Sequence, residues 1–496
     1  MKIKQILYAV AFCVASSAAL AQVAADVGRP QIDPSSLSER QIGQTEAPQA
    51  LYRLAAFYKQ KGDLERLVWT LQRLNVLAPN NGDLKLALAT TYALRGDKSK
   101  AYETLLFLQK AGFGYDLTTN PNFSNVSGTK VWTYIVDSLK TNMKKFGEGS
   151  VAFSFPNGDT LIESLAYDPT RKQFLAGSVR DGKISLVDPT GTLHDFIVPD
   201  STNGLWSVYA MAADPDDDAL YVASTSSVYF KGFSQTDFGK AGVFKFKLST
   251  GKLVAKYLLP AGGPPRTLSS IAVGKGGQVY AADGVHNIVY HLDGTTLKPM
   301  VENPRFTSLR GLAVSGDGKT LYLADYALGV LGVDLSGGTG FELDFEPSVL
   351  ALGGIDGLYW YDGTLVVIQN GMTPHRVMRL KLSNDGHGIV SAMPIDVANP
   401  AFALPTYGTV SGDKLYFVAN SQKNAYDTYG TPKAGTKLEP VHVFRSNLRF
   451  SWDQTGIDTR RAAPKSRPSA PAFPGPLATP GRFSNVEGGA VVAPSN

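Results

Sequence analysis

Cysteine is nearly absent from this chain of 496 residues, since Cys13 is the only one. Its place near the N-terminus leaves the rest of the sequence without a disulfide framework or cysteine chemistry. There are only six histidines, and no histidine or cysteine spacing typical of a metal site occurs. Neither sign of charge predominates, since 48 lysines and arginines stand against 43 acidic residues. The formal net charge of +5 is too weak to favour nucleic acid as a partner.

Long apolar runs are missing apart from a short one at the N-terminus. Two lysines precede an apolar run at residues 6–14, and Ala19-Leu20-Ala21 matches a signal-peptidase cleavage site. The run is too short to cross a membrane comfortably. We therefore predict a signal peptide at residues 1–21 and a periplasmic or secreted bacterial protein without a membrane span. Residues 22–44 are interpreted as a linker.

Residues 45–146 have apolar residues at helical spacing and contain an internal repeat. Five residues recur after 34 positions: Leu54, Ala55, Tyr58, Gly62 and Asp63 are followed by Leu88, Ala89, Tyr92, Gly96 and Asp97. Thirty-four residues is the period of tetratricopeptide repeats, so the segment resembles two such repeats, with a capping helix near residues 131–146. Two roles stay open, namely a groove for a protein partner and a structural cap or dimerisation surface.

A second repeat occupies residues 147–452. A short apolar pattern, a turn and an apolar β-run recur six times at intervals of 41 to 60 residues, beginning at Leu165, Met211, Ile271, Leu312, Leu358 and Thr409. Such repeats predict a mainly β fold, a six-bladed β-propeller with the all-α domain in front of it. Residues 150–155 are expected to pair with residues 440–444 and close the ring. Residues 453–496 are rich in proline and are predicted to be a disordered tail.

Polar residues stand at two equivalent positions in every repeat. The first column precedes each repeat and comprises Glu163, Tyr209, Ser269, Arg310, Asp356 and Tyr407. The second follows the second strand of each repeat and comprises Ser178, Ser224, Asp283, Asp325, Asn370 and Asn420. Both columns are expected at one mouth of the central funnel and predict a ligand site there. The alternative is that loop ends are simply polar.

The segments that begin at Ile162 and Gly354, together with residues 312–325 and 182–188, resemble the senescence-marker-protein/gluconolactonase family of six-bladed propellers. The resemblance implies one divalent cation, usually calcium, in the first column and hydrolysis of lactones. It implies Glu163 and Asp356 as metal ligands and places Asp283 near the family's catalytic acid. Ser269 and Arg310 stand where the family has asparagine ligands.

Arg310 argues against a metal, because a guanidinium offers no acceptor and repels a divalent cation. Our hypothesis is that Arg310 replaces the metal and pairs with Glu163 and Asp356. The alternative keeps a calcium ion, with Arg310 turned aside and Asp283, Asp325 and Asn370 as ligands.

The first interpretation of function is an exported binding or scaffolding protein, with a small polar ligand or peptide in the funnel and a protein partner on the helical repeats. No cofactor is favoured. The alternative is a calcium-dependent lactonase or esterase, with Asp283 catalytic. In the first interpretation, the residues that line the ligand-binding funnel are those of the first column together with Asp325, Asn370 and Asn420.

Overall fold

The computed structural model describes residues 33–156, 158–260, 264–449 and 457–460. The predicted signal peptide, the first part of the predicted linker and the tail beyond residue 460 lie outside the described residues. None of the helices within these ranges has the length and apolarity that a membrane crossing requires.

The N-terminal region is helical, as predicted. From residue 33 onwards it contains six α-helices, namely α1 (Glu39–Gly43), α2 (Pro48–Lys61), α3 (Leu64–Leu77), α4 (Gly82–Arg95), α5 (Lys98–Lys110) and α6 (Lys130–Asn142). Helices α2 and α4 begin 34 residues apart, and so do α3 and α5. Gly62 and Gly96 end α2 and α4 in the left-handed conformation, with φ of 71° and 81°. Those glycines explain part of the repeat, while its tetratricopeptide character stays a prediction.

The predicted linker is wrong over residues 34–43, because this stretch packs against the helices. A 3-10 turn (Pro34–Ser36) precedes α1, and the Tyr58 hydroxyl donates a hydrogen bond of 2.6 Å to the Pro34 carbonyl oxygen. Ile42 in α1 is fully buried. The burial of Ile42 and the hydrogen bonds to Pro34 and Leu37 attach this stretch to the helices, which its composition did not indicate.

The rest of the chain forms the predicted six-bladed propeller. Blade 1 comprises β2 (Ile162–Asp168), β3 (Gln173–Ser178), β4 (Ile184–Val187) and β5 (Leu193–Ile197). Blade 2 comprises β6 (Ser207–Asp214), β7 (Ala219–Thr225), β8 (Ala241–Lys247) and β9 (Leu253–Leu258). Blade 3 comprises β10 (Leu268–Gly274), β11 (Gln278–Asp283), β12 (Ile288–Asp293) and β13 (Thr296–Glu302). Each blade is an antiparallel sheet whose strands follow chain order from the ring axis outwards.

Blades 4 to 6 follow the same plan. Blade 4 comprises β14 (Leu309–Val314), β15 (Thr320–Asp325), β16 (Gly329–Asp334) and β17 (Thr339–Glu342). Blade 5 comprises β18 (Ile355–Tyr361), β19 (Thr364–Gln369), β20 (Arg376–Leu382) and β21 (Ile389–Val397). Blade 6 comprises β22 (Gly408–Ser411), β23 (Lys414–Val418) and β24 (Val441–Asn447), and β1 (Ser150–Phe155) is its outermost strand. Strand β1 pairs antiparallel with β24, so the predicted closure of the ring is confirmed.

Apolar side chains fill the spaces between adjacent blades. One buried cluster joins blades 2 and 3 and includes Val243 and Ile271, and another joins blades 3 and 4 and includes Val289 and Leu312. Every residue of β19 is buried, since a second strand has a neighbouring blade on each face. This two-sided burial is the reason why the second strands are apolar throughout.

Part of the predicted tail is ordered. Strand β25 (Ile457–Asp458) pairs with β21 at the outer edge of blade 5. Thr459 is fully buried, and its hydroxyl donates a hydrogen bond of 2.7 Å to the Ile389 carbonyl oxygen. The prediction of disorder is wrong at residues 457–460, because an open sheet edge offers backbone partners that composition does not reveal.

Asp396, in β21, holds the segment that connects the helices to β1. Its carboxylate accepts a hydrogen bond of 2.9 Å from the Gly149 amide and another from the Ser446 hydroxyl. Gly147 passes so close that an added Cβ would lie 2.2 Å from the Ile395 carbonyl oxygen. The connection therefore fits against blade 5 only as glycine-containing backbone.

Burial raises the pKa of Asp396, and its two hydrogen bonds offset this only in part. The folded protein thus binds this proton more tightly than the unfolded chain, and the stability linked to it is lost as pH rises above about 4. Asparagine keeps an acceptor for Gly149 and cannot ionise. We expect Asp396→Asn to raise the free energy of unfolding at pH 7 and to change it little near pH 3, measured by urea denaturation.

The matched control is Asp396→Ala, which removes the acceptor of the Gly149 amide and should destabilise the protein at both pH values. An asparagine variant less stable than the parent at pH 7 would contradict the prediction.

Candidate functional site

The first column lies at bulges in the innermost strands. In blades 1 to 5 the pairing of the innermost with the second strand shifts by one residue at Glu163, Tyr209, Ser269, Arg310 and Asp356. Tyr407 directly precedes the sixth innermost strand. A bulge leaves its residue outside the ladder and redirects the side chain. The loops entering the innermost strands share one face of the ring with the loops between second and third strands, here called the upper face.

Arg310 lies beside one of its two predicted partners. Its Nε is 3.9 Å from an Asp356 carboxylate oxygen, and it forms no ion pair with Glu163 among the described residues. The Arg310 Nε is buried, and within the described part of the chain it has no hydrogen-bond partner. The guanidinium carbon stands 5.7 Å from the centroid of the Tyr326 ring.

Asn370 connects these groups. Its amide donates a hydrogen bond of 2.7 Å to Asp356, and its carbonyl oxygen accepts one of 3.1 Å from the Tyr326 hydroxyl. We call Arg310, Tyr326, Asp356 and Asn370 the arginine corner. Tyr326 was missed by the sequence analysis, although it directly follows the second-column residue of blade 4.

Glu163 lies in a different environment. Its side chain accepts a hydrogen bond from the Ser421 hydroxyl, and the residue is only 5% exposed. Burial raises the pKa of Glu163 to about 7, although the Ser421 bond and the charge of Lys423 favour the ionised form. The nearby Asp356 carboxylate adds to the increase in the pKa of Glu163. Glu163 therefore exchanges its proton close to neutral pH.

The tyrosines of the first column remain neutral hydroxyls. Tyr209 donates a hydrogen bond of 2.9 Å to the Ser227 hydroxyl. Burial and the negative charge of Asp356 raise the pKa of Tyr407 well above its ordinary value, and Arg310 opposes this. Ser269 turns away from the others, because its hydroxyl donates a hydrogen bond of 3.0 Å to the Leu309 carbonyl oxygen in the next blade.

Most second-column side chains hold backbone rather than face the funnel. Asp325 is fully buried and accepts hydrogen bonds from four backbone amides, those of Thr307, Ser308, Ala327 and Leu328. Ser178, Ser224 and Asn420 likewise bond to backbone of the loop that enters or leaves their blade. Asn370 alone among them bonds to a first-column side chain among the described residues.

Asp283, which would be catalytic if the protein were the hydrolase of the alternative interpretation, has the same structural setting. It is fully buried, and one carboxylate oxygen accepts a hydrogen bond of 2.9 Å from the Val285 amide. The other oxygen lies 2.9 Å from the Nδ1 of His286. Both oxygens are engaged in the turn after β11, so the structure does not bring Asp283 together with the arginine corner.

These residues do not fit a calcium ion, which takes six to eight oxygen ligands. Asp356 already binds Asn370 through one oxygen and faces Arg310 with the other. The Ser269 hydroxyl bonds to backbone. Within the described ranges, no group of three or more acidic, histidine or cysteine side chains could hold a metal.

A channel of about 250 Å³ runs along the ring axis and is lined by the innermost strands. Small and apolar residues such as Ala212, Val273 and Val314 form much of its wall. The lining includes Tyr407 but not Glu163, Arg310 or Asp356. The channel itself therefore offers few side-chain groups for a polar ligand.

Two long loops of the upper face, residues 226–240 and 419–440, meet above blade 1. Arg180 is 9% exposed and donates hydrogen bonds of 2.8 Å and 2.6 Å to the carbonyl oxygens of Tyr229 and Gly430. It also pairs with Asp159 at 2.7 Å. We call the two loops the clasp. The second of them carries Ser421 and Lys423, so the clasp contributes to the surroundings of Glu163.

No family model matches the sequence, and neither does any curated protein. Among similar solved structures, a gluconolactonase from Xanthomonas campestris is 13% identical over 62% of this chain and 93% of its own, with a TM-score of 0.39. A putative glucose dehydrogenase-type oxidoreductase from Thermus thermophilus is 16% identical over 61% of this chain and 100% of its own, with a TM-score of 0.40. A putative gluconolactonase is 13% identical over 64% and 94%, also at 0.40. Two of these three structures are gluconolactonases by description, and at such identities and TM-scores the likeness adds nothing to the six-bladed propeller fold that the strand pairing shows.

The environment of Glu163 leads to a testable titration. We expect its carboxyl group to titrate near pH 7 because it is buried, observed as the infrared band that Glu163→Gln removes. Lys423→Gln should raise the pKa of Glu163 further, since the lysine charge stabilises the carboxylate.

The control for this charge effect is Lys437→Gln on the same loop, whose ammonium lies 3.8 Å from Glu439 and is mostly exposed. It should leave the titration unchanged. Equal shifts in the two lysine variants would argue against a specific effect of Lys423, and a parent midpoint below about 5 would show that burial does not control this group.

Proposed function

We propose that the upper face of the propeller binds a small polar ligand that carries a carboxylate, and that Arg310 recognises it. The single observation that carries the proposal is the Arg310 side chain, which is 33% exposed and has one carboxylate partner among the described residues, Asp356 at 3.9 Å. A carboxylate that reaches the exposed part of this side chain can form charge-assisted hydrogen bonds with the guanidinium, whose charge the distant Asp356 pairs only loosely.

The charges around Arg310 support an anionic rather than a cationic ligand. Asp356 neutralises the guanidinium only from 3.9 Å and shares its other oxygen with Asn370. Glu163 takes up a proton near neutral pH, which lowers its repulsion of a carboxylate. The Tyr209 and Tyr326 hydroxyls already donate to Ser227 and Asn370, so they can accept hydrogen bonds from hydroxyl groups of the ligand. A hydroxy acid matches this combination of groups.

The finer parts of the proposal rest on the sequence. We propose an exported protein on the basis of the predicted signal peptide, and a protein partner for the helical repeats on the basis of their periodicity. The site is proposed to work without a resident metal, because Arg310 and the orientation of Ser269 do not suit one.

Titration calorimetry with D-gluconate and with neutral D-glucose tests the ligand class. We expect the full chain to bind gluconate in preference to glucose, and Arg310→Gln to weaken gluconate binding by about tenfold or more, as the loss of a charged hydrogen bond does.

The matched control is Arg305→Gln, because Arg305 lies in the loop that enters blade 4 and is half exposed beside Glu342. It should bind gluconate like the parent. The proposal is lost if Arg310→Gln retains the parent affinity or if glucose binds as well as gluconate.

A second candidate is hydrolysis of a lactone or related ester. It is favoured by Glu163, whose pKa of about 7 suits proton transfer at neutral pH. The arrangement offers a proton donor and acceptor at Glu163 and a positive group at Arg310 that could stabilise developing negative charge.

An assay of gluconolactone hydrolysis, with and without added calcium, separates the two candidates. For a binding protein we expect no turnover above the spontaneous rate under either condition. Turnover abolished by Glu163→Gln and kept by Asp283→Ala would establish a hydrolase centred on Glu163. Turnover that requires calcium and Asp283 would contradict both the metal-free site and the structural role of Asp283.

A further inference from the structure

The helical domain rests on the upper face, on three loops of blades 4 and 5. It contacts residues 327–328, which directly follow Tyr326, and also residues 351–353 and 372–376. Each of these loops carries or adjoins a member of the arginine corner. Tyr326 begins the first loop, Asp356 follows the second by three residues, and Asn370 precedes the third by two. The helices are therefore attached to the backbone that presents the corner.

Asn80 makes the most direct of these contacts. It lies in the turn between α3 and α4, and its amide nitrogen is 3.3 Å and 3.1 Å from the carbonyl oxygens of Ala327 and Leu328. Its side-chain oxygen accepts a hydrogen bond of 3.3 Å from the Leu352 amide. A Cβ added to Gly353 would lie 2.3 Å from the Asn80 Cβ, so the propeller makes room for Asn80 with a glycine.

The contact continues into the arginine corner through backbone. The Gly354 amide donates a hydrogen bond of 2.7 Å to the Tyr326 carbonyl oxygen, and the Gly371 amide donates one of 3.1 Å to Gly354. A Cβ on Gly371 would lie 2.6 Å from the Tyr326 hydroxyl oxygen. Tyr326, Gly354 and Gly371 are thus packed without space for adjustment, and a shift of one moves the others.

Arg376 fastens the same region from the propeller side. It is 4% exposed and donates hydrogen bonds of 2.7 Å to Gln369, 3.0 Å to the Ala111 carbonyl oxygen at the end of α5, and 3.1 Å to the Ala351 carbonyl oxygen. A cation at a helix C-terminus is stabilised by the helix dipole. The helical domain is thereby held at two points on either side of the 351–354 loop.

We infer that the helical domain is part of the ligand site, and that Asn80 is a positioning residue that fixes Tyr326 and the loop before Asp356 in the geometry that Arg310 requires. This inference rests on the proposed binding of a carboxylate at the arginine corner. It assigns the helices a role in ligand binding in addition to any surface that they offer to a partner.

The test compares Asn80→Ala with Asn125→Ala in the full chain. Asn125 is an exposed asparagine of the same domain whose amide donates a hydrogen bond of 3.3 Å to the Leu94 carbonyl oxygen, far along the chain from the propeller contact. Two quantities are measured, namely hydrogen exchange of the Gly354 and Gly371 amides and affinity for D-gluconate. The thermal unfolding midpoint confirms that each variant is folded.

We expect Asn80→Ala to speed exchange at both glycines by about tenfold and to weaken gluconate binding by about fivefold, with an unfolding midpoint close to that of Asn125→Ala. Asn125→Ala should change neither quantity. Gly353→Ala reaches the same contact from the propeller side and should reproduce the effects of Asn80→Ala, which covers the case that one variant does not fold.

The two proposals fail in different ways. Unchanged exchange at Gly354 and Gly371 in both contact variants overturns the positioning role, whatever the affinity. Faster exchange with unchanged gluconate affinity overturns it as well, while loss of binding in Arg310→Gln would still support the proposed function. A parent that does not bind gluconate counts against the proposed function, and the exchange data then decide the positioning role alone.

Discussion

A bulge at one equivalent position in five innermost strands is the constraint from which the site follows. Closure of the ring forces the six innermost strands to converge, and each bulge takes one residue out of the ladder. Residues that are dozens of positions apart in sequence are thereby gathered on the upper face. The same geometry does not treat them equally, because Ser269 bonds to the neighbouring blade while Arg310 and Asp356 face each other.

Two carboxylates at this face have different environments. Asp356 has an amide donor at 2.7 Å and a guanidinium at 3.9 Å, whereas Glu163 has a hydroxyl donor and no cation within ion-pair distance among the described residues. Burial therefore dominates the pKa of Glu163 and raises it to about 7. Environments that separate two carboxyl groups in this way give them different roles in proton transfer or recognition.

The ring, its closing strand and the helical region were predictable because they depend on periodicity. Repeated apolar runs determine where blades begin, and the pairing of β1 with β24 follows from the need to remove open edges. The functions of the polar columns were not separable by the same means. A short polar side chain after a strand can bond to a residue of the first column, as Asn370 bonds to Asp356. It can instead hold the backbone of a turn, as Asp325 does. The positions of Ser421 and Tyr326 beside the first column depend on loop conformation. Loop conformation does not repeat along the sequence and could not be predicted from periodicity. The packing of Ile42 and Thr459 was missed because burial and hydrogen bonds to distant elements hold short segments that composition alone describes as linker or tail.

The coverings of the upper face explain why its polar groups are energetically important. The helical domain covers loops of blades 4 and 5, and the two loops of the clasp meet each other above blade 1. The clasp residue Ser421 bonds to Glu163, and the helical domain contacts the loops beside Asp356 and Asn370. Hydrogen bonds and charges act more strongly where water is excluded, as it is around the buried Glu163. The raised pKa of Glu163 has burial as its main cause. The unsatisfied Nε of Arg310 is costly for the same reason. A ligand that pairs with Arg310 at this partly covered face would gain more than it would at an open surface, which is how one arginine could carry the proposed recognition.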